Sequence, residues 1–381
     1  MKLTSPEAFA ALIKHSSYKD KPGGKLIPLT NVTFFLGAGF SKSWDVKYPT
    51  GNELFTFKID KYSDDLFEFV DNIGYDSKFD FARFKDMAYN LTMQKKYGAV
   101  RSRYIDLYNI SMIENEINFV ITKRFKEIAN LNYVKNFNDK LKLTPTPSTD
   151  QLNIVKFFRW ITNQTTGDND VPEGVRPHFI TTNYDFLIES ILDEILPSDD
   201  YHQLYTYRGF TPFRTNGVKP PITVFKHWLV HSLIKINGGF EIFKENDGFA
   251  TDYVEKTDRV LKKLAPILIV PNREQDYTGH YFQTIFPKAI RVLQESKVLV
   301  IVGYSLPEED ALIRLLIRQF AEENVDGTEK VIFYITPMTE KEQLEKLQTV
   351  FPYHSYAIDR YNIFTHSGYF TDWVNSVISK I

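Results

Sequence analysis

Three stretches of this chain end an apolar run in small or polar residues and then pass into a helical pattern. They are FFLGAGFSKSW (34–44), FITTNYDFLIES (179–190) and VIVGYSLPEEDALI (300–313). In the first, Gly37 and Gly39 would let the backbone approach a ligand closely. A strand end that opens a helix also gathers N–H groups and a positive dipole end, the chemistry of a phosphate site. The spacing is Gly-x-Gly-x-x-Lys, with Lys42 where the dinucleotide fingerprint has its third glycine, and it is not a Walker A loop either. A tight structural turn would read the same way. In the second stretch Thr182, Asn183 and Asp185 stand where a strand breaks into a helix. In the third, Gly303, Tyr304 and Ser305 precede Pro307 and a helix start. Any one of these could be only a capped helix start, but at the carboxyl ends of strands in one sheet they would converge on a ligand.

The elements that must position these residues are visible as apolar runs. VTFFLG (32–37), HFITTN (178–183), KVLVIVGY (297–304) and KVIFYIT (330–336) are nearly continuous rather than alternating, as strands covered on both faces are. PILIVPN (266–272) reads as a strand in the same way. Between them lie helical patterns such as DALIRLLIRQFAEEN (310–324), where Leu312, Leu315, Leu316 and Phe320 are expected to share a face. Strands alternating with helices predict an α/β fold, a doubly wound, mostly parallel, Rossmann-like sheet. Residues 1–54 and 161–381 form its two parts. Residues 55–160, rich in Phe, Tyr, Lys and Asp, read as a helical insertion over the sheet's carboxyl edge. TPTPSTD (144–150) is the tightest linker candidate. The run EKEQLEKL (340–347) is a solvated helix face.

Composition narrows the function classes. A formal charge of -2 gives no basic face for nucleic acid, so no direct nucleic-acid binding is expected. There is no cysteine, which excludes disulfides and any Cys-ligated zinc. The first 30 residues lack the apolar block of a signal peptide. No run approaches the ~18 apolar residues that span a bilayer, so a cytoplasmic location is expected. No carboxylate cluster with metal-ligand character stands out, which leaves a nuclease reading weak and no metal expected.

GAGFSKS, YPTGNEL, TTNYDFLIE, VPN and VGYSLPEED occur in that order between about residue 31 and residue 340. The set resembles the Sir2-like family, and more narrowly the bacterial Sir2-type NAD hydrolases of antiphage defence. The resemblance implies NAD+ as substrate, with Gly37, Ala38, Gly39, Phe40 and Ser41 lining its pyrophosphate. Thr182, Asn183 and Asp185 would sit near the nicotinamide ribose, with Asn183 orienting the ribose and the attacking water. Gly303, Tyr304 and Ser305 would hold the adenosine side, and Thr336 would lie near the adenine. It also implies defence by NAD depletion, control by assembly into a homo-oligomer, and a HerA-type ATPase as partner.

Two features depart from the family. The four-cysteine zinc module of the protein deacylases is absent, which counts against deacylation. The family's Lys-Leu-His-Gly-Ser strand aligns best with Lys235-Ile236-Asn237-Gly238-Gly239. That puts Asn237, which takes no proton at neutral pH, where the resemblance implies a histidine base. His227 and His231, just upstream, are the candidate replacements, because imidazole titrates near neutrality. A core or surface histidine is the plain alternative for each. A non-catalytic NAD or ADP-ribose sensor would tolerate Asn237.

Overall fold

The computed structural model of the protein describes residues 3–17, 29–97, 107–134, 141–143, 147–166, 173–195, 214–216, 231–246, 248–322, 330–351 and 362–381. The described strands are, in chain order, β1 (Thr30–Leu36), β2 (Phe57–Lys58), β3 (Lys78–Phe79), β4 (Thr165–Thr166), β5 (Glu173–Thr181) and β6 (Arg214–Asn216). They continue with β7 (Leu233–Lys235), β8 (Ile242–Glu245), β9 (Gly248–Asp252), β10 (Val298–Val302), β11 (Val331–Thr336) and β12 (Asn362–Ser367). Six run parallel in the order β12-β11-β10-β1-β5-β7, and β4 pairs antiparallel with the start of β5. This is the doubly wound α/β sheet that the apolar runs predict.

Successive residues of β1 point to opposite faces, and both faces are covered. Phe34 packs among Phe9, Phe157, Phe158 and Phe179, beneath helices Ser5–Ser16, Thr149–Thr162 and Phe370–Ile378. Phe35 faces the other way, its ring 5.2 Å from that of Tyr304. On that side helices His280–Glu295, Ala311–Glu322 and Glu340–Val350 close the core.

Three details differ from expectation. PILIVPN is not a sheet strand: Leu268 makes only an isolated bridge to Gly238. Its amides go instead to the start of β8 and to the turn after β7, Ile267 N to Ile242 O and Ile269 N to Asn237 O. In helix Ala311–Glu322 the buried stripe is Ile313, Leu316, Ile317 and Phe320, while Leu312 and Leu315 are exposed. The helix Thr149–Thr162 lies within the stretch read as insertion, yet packs on the sheet through Phe157 and Phe158. Ser148 caps it, accepting from Gln151 N, and residues 144–146 of the linker candidate lie outside the described residues.

The helices Gly51–Leu54, Phe81–Lys96 and Leu107–Ile128 cover the carboxyl edge of the sheet, and Asp64–Asn72 packs on the last of them. Helix Phe81–Lys96 is tied to the loops there by Lys85–Glu309 (2.7 Å), Lys95–Asp276 (3.1 Å) and Lys96–Glu274 (2.8 Å). Among the described residues no helix is long and apolar enough to cross a membrane.

Candidate functional site

From β1 the chain moves outward to β5 and β7, then returns to the other side of β1 as β10 and continues to β11. The sheet therefore has its switch point between β1 and β10, where the connections diverge and a crevice opens beyond the carboxyl ends of the strands. A cavity of about 460 Å³ sits there, within the range of small-molecule sites. It is lined by Ala38, Gly39 and Ser41 after β1, and by Thr182, Asn183 and Asp185 after β5. Asn237 after β7, Gly303, Tyr304 and Ser305 after β10, and Thr336 at the end of β11 complete that set. The insertion adds Phe55, Phe81 and Phe125 as an apolar wall.

The glycine turn does something other than expected. Gly37 N donates to Val302 O and Gly39 N to Gly303 O, both at 2.9 Å, so two amides that would face a phosphate are already bonded. A Cβ on Gly37 would stand 2.7 Å from Tyr304 Cα, and one on Gly39 2.6 Å from Gly303 Cα. Gly303 itself sits at φ +60° with its α-carbon against the backbone of Gly39 and Phe40. The three glycines let two strand-end loops interlock. Phe40 is not at the cavity but in the core, packed on Phe158 and Phe370. Gly37 does not line the cavity either; its carbonyl meets Asn183 instead. Lys42 binds Glu53 at 2.7 Å and so pins the YPTGNEL loop.

Asn183 is held in one orientation. Its Nδ2 donates to Gly37 O and to Ser41 Oγ, each at 2.9 Å. The Ser41 hydroxyl in turn donates to Asp185 Oδ2 at 2.8 Å. A backbone carbonyl can only accept, so the nitrogen end of the amide must face Gly37. That leaves Oδ1 for the cavity. Burial pushes the Asp185 carboxyl up, against the Leu187 N–H, Lys235 and Ser41, which all favour the charged form.

Under this turn lies Lys235, buried. Its ammonium donates to Tyr184 O (3.2 Å), Asp185 O (2.7 Å), Glu189 Oε1 (3.1 Å) and Glu241 Oε2 (2.9 Å). Burial alone would lower its pKa, but Glu189 and Glu241 outweigh that and hold it above the ordinary value. One cation thus fixes the backbone that carries Asn183.

Asn237 lines the cavity 2.8 Å from the Tyr277 hydroxyl. Beside it a buried carboxylate, Asp310, accepts from Tyr304 Oη at 2.5 Å and from Gln275 Nε2 at 3.1 Å. Burial pushes Asp310 up, with Glu309 adding to the effect and Tyr304, Gln275 and Lys85 opposing it.

His231 is in the wrong place for a base. Its Nδ1 bonds Pro177 O at 3.0 Å, at the middle of β5. Four residue steps of strand separate Pro177 from Thr181, about 13 Å. Burial lowers its pKa to about 4. His227 lies outside the described residues. Among the described residues no group of three or more His, Cys, Asp or Glu side chains is arranged to hold a metal ion.

No protein-family model and no curated protein matches the chain. A solved structure, described as the structural basis of sirtuin substrate affinity, is similar to it. That likeness covers 100% of this chain and 99% of the other, at 12% identity and a TM-score of 0.40. Similarity at that level assigns neither substrate nor reaction.

The site therefore offers a mostly apolar crevice with a fixed amide acceptor, Asn183 Oδ1, and a second amide, Asn237, coupled to a buried carboxylate. Sequence reasoning missed Gln275, Tyr277 and Asp310. Asp310 lies inside VGYSLPEED but reads there as an ordinary helix-capping residue, and the loop carrying Gln275 and Tyr277 has no periodic signal. Leu306, at φ +51° in that same stretch and fully buried, marks backbone strain of the kind that gathers at functional sites.

Proposed function

We propose that the cavity binds NAD+ and hydrolyses it to nicotinamide and ADP-ribose. The observation that carries the reading is the orientation of Asn183, whose Oδ1 is turned into a crevice at the switch point of a Rossmann-like sheet. In the reaction the bond from the ribose anomeric carbon to the nicotinamide nitrogen breaks, and its electron pair leaves with a now neutral nicotinamide. The sugar passes through an oxocarbenium-like state. A carbonyl oxygen held nearby stabilises that cation electrostatically and accepts a hydrogen bond from a ribose hydroxyl or the attacking water. Water adds to the anomeric carbon and its proton leaves to solvent.

With the resemblance of the motif set, the proposal extends to an antiphage effector that depletes NAD+ as a cytoplasmic homo-oligomer, with a HerA-type ATPase as partner. A second reading, a non-catalytic NAD or ADP-ribose sensor, is favoured by Asn237 at the implied base position. Incubating the purified protein with NAD+, alone and with candidate partners, and chromatographing the products separates the two. Release of nicotinamide is expected. NAD+ that binds but survives prolonged incubation with the full assembly would establish the sensor instead.

A further inference from the structure

Four side chains run in a row along the cavity wall. Asp310 Oδ1 lies 3.1 Å from Gln275 Nε2, Gln275 Oε1 lies 3.1 Å from Tyr277 Oη, and Tyr277 Oη lies 2.8 Å from Asn237 Oδ1. Asn237 and Asp310 are each 8% exposed, and both line the cavity together with Gln275. Burial, then the charge of Asp310 and the neighbouring Tyr184, holds the Tyr277 hydroxyl well above its usual pKa. It therefore keeps one proton, yet faces an amide on either side. Only one of these can accept that proton, so the other must turn its nitrogen to Tyr277. The two ends of a carboxamide share a shape and differ in whether they donate or accept.

Two orders close the row. With Asp310 ionised, both its oxygens accept, from Tyr304 and from Gln275 Nε2. Gln275 Oε1 then accepts a hydrogen bond from the Tyr277 hydroxyl, the Tyr277 oxygen accepts from Asn237 Nδ2, and Asn237 Oδ1 is left to the cavity. With Asp310 protonated, its hydroxyl donates to Gln275 Oε1, whose amide has turned over. Gln275 then donates to Tyr277, Tyr277 donates to Asn237 Oδ1, and Asn237 Nδ2 faces the cavity. One proton is taken up at Asp310, none crosses the row, and two amides rotate.

We propose that this row is a polarity relay in which the protonation state of Asp310 decides whether Asn237 offers the cavity a hydrogen-bond acceptor or a donor. Asn237 then positions a hydroxyl-bearing ligand such as a ribose when Asp310 is ionised, a step that rests on the reading of the cavity as a nucleotide site. Asp310 and Gln275 act through Asn237 and are positioning residues. The titratable and charged groups around Asp310 are Tyr304, Tyr277, Tyr184, Glu309 and Lys85, the last paired with Glu309 at 2.7 Å. Burial raises the carboxyl toward the range where the switch would operate.

The test follows the side-chain amide ¹⁵N resonances of Asn237 and Gln275 in the free protein between about pH 4.5 and 8.5, across the range of a raised carboxyl. Asn237→Ser and Gln275→Leu assign them. Both amides should move with one midpoint. Asp310→Asn, whose amide donates to Gln275 and accepts from Tyr304, should lock the protonated order and abolish the titration. Gln275→Leu, which breaks the row, should abolish the titration of Asn237. ADP-ribose should bind the wild type roughly 3- to 10-fold more weakly below the midpoint than above it, because a ribose hydroxyl that turns to accept from Asn237 Nδ2 leaves its own proton without that carbonyl. Asp310→Asn should bind weakly at every pH without losing its melting temperature. Amides that stay still, or that still titrate in Asp310→Asn, overturn the relay, and nucleotide binding under those conditions leaves the NAD reading standing. An affinity that ignores the amides overturns the positioning role. Amides that titrate together, while neither NAD+ nor ADP-ribose binds at any pH, support the relay and remove the NAD reading.

Discussion

Replacing Asn183 by Asp should harm the protein more than replacing it by Ala, although Asp is the closer match in shape. Asn183→Ala removes two hydrogen bonds, to Gly37 O and Ser41 Oγ, each 2.9 Å long. Both acceptors lie beside an open cavity that water can enter, so the loss should be about 1–2 kcal/mol. Asn183→Asp loses the same two bonds and sets a carboxylate oxygen against the Gly37 carbonyl, close to the buried Asp185. The variant can escape by binding a proton. Holding an ordinary carboxyl neutral costs about 4 kcal/mol at pH 7 and about 1.5 kcal/mol at pH 5, which caps the penalty at each pH. The new carboxyl would have a folded pKa above its unfolded one. Its stability relative to the wild type should therefore rise as pH falls from 7 to 5, where the protonated acid again donates to Gly37 O. Urea denaturation of the wild type and both variants at pH 7 and pH 5 measures this. An Asp variant as stable as the wild type at pH 7, or one whose deficit does not shrink on acidification, would mean that the nitrogen end does not face Gly37. Asn183 Oδ1 would then not be the group turned to the cavity. Asn183→Ala should lose nicotinamide release, since it presents no carbonyl there.

Lys235→Met should cost about 3–5 kcal/mol in urea denaturation, because Glu189 and Glu241 would lose the Lys235 ammonium that both bind; a loss under about 1 kcal/mol would show that the cluster is not ionised as described. Gly303→Ala should cost more than about 2 kcal/mol, from a positive φ and a collision with the Gly39 and Phe40 backbone, whereas Gly51→Ala, whose Cβ would stand 3.6 Å from the Phe81 ring, should stay within about 0.5 kcal/mol. His231, with its folded pKa lowered to about 4 from about 6.5 in the unfolded chain, contributes stability that is complete above pH 6.5 and lost as pH falls toward 4, by about 3 kcal/mol at most. His231→Asn should reduce the fall in melting temperature across that window, with buried His178 keeping part of it, and leave any turnover unchanged, and a large fall in turnover would return His231 to the site.

The sheet was legible because burial on both faces removes charged residues from β1, β10 and β11, leaving runs that no amphipathic element shares. The same logic misreads PILIVPN, whose residues Leu268 and Ile269 are buried but whose amides pair with Asn237 and with Ile242 at the start of β8 rather than with a strand of the parallel sheet. Composition reports burial, not the partner. Helix Ala311–Glu322 fails differently. It is apolar at Leu312, Ile313, Leu315, Leu316, Ile317 and Phe320, so periodicity allows more than one face. Packing against the two neighbouring helices, on the Phe35 side of the sheet, selects Ile313 and Ile317. Gly37 and Gly39 were legible as positions of close backbone approach; that what they approach is Gly303 and Tyr304 needs the two loops in place. The position of His231 depends on register: Phe179 opposite Leu233 sets it beside Pro177, far from the strand ends where a base would be wanted.

The polarity of the site is legible in neither the sequence nor the outline of the side chains, because an amide's two ends differ only in what they donate. It emerges when the hydrogen bonds are counted from the groups that have no choice. Gly37 O can only accept, which turns Asn183 Oδ1 to the cavity. An ionised Asp310 can only accept, and through Gln275 and Tyr277 that turns Asn237 Oδ1 the same way. Under the proposed relay the crevice then presents two carbonyl acceptors among apolar walls, a pair that suits a ligand with two hydroxyl donors, as a ribose has. Such a site binds and orients a diol without taking a proton from it. On this reading Asn237, in place of histidine, makes the crevice a device for positioning rather than for proton removal, and the chemistry open to it is the kind whose leaving group departs neutral and needs no base at the sugar.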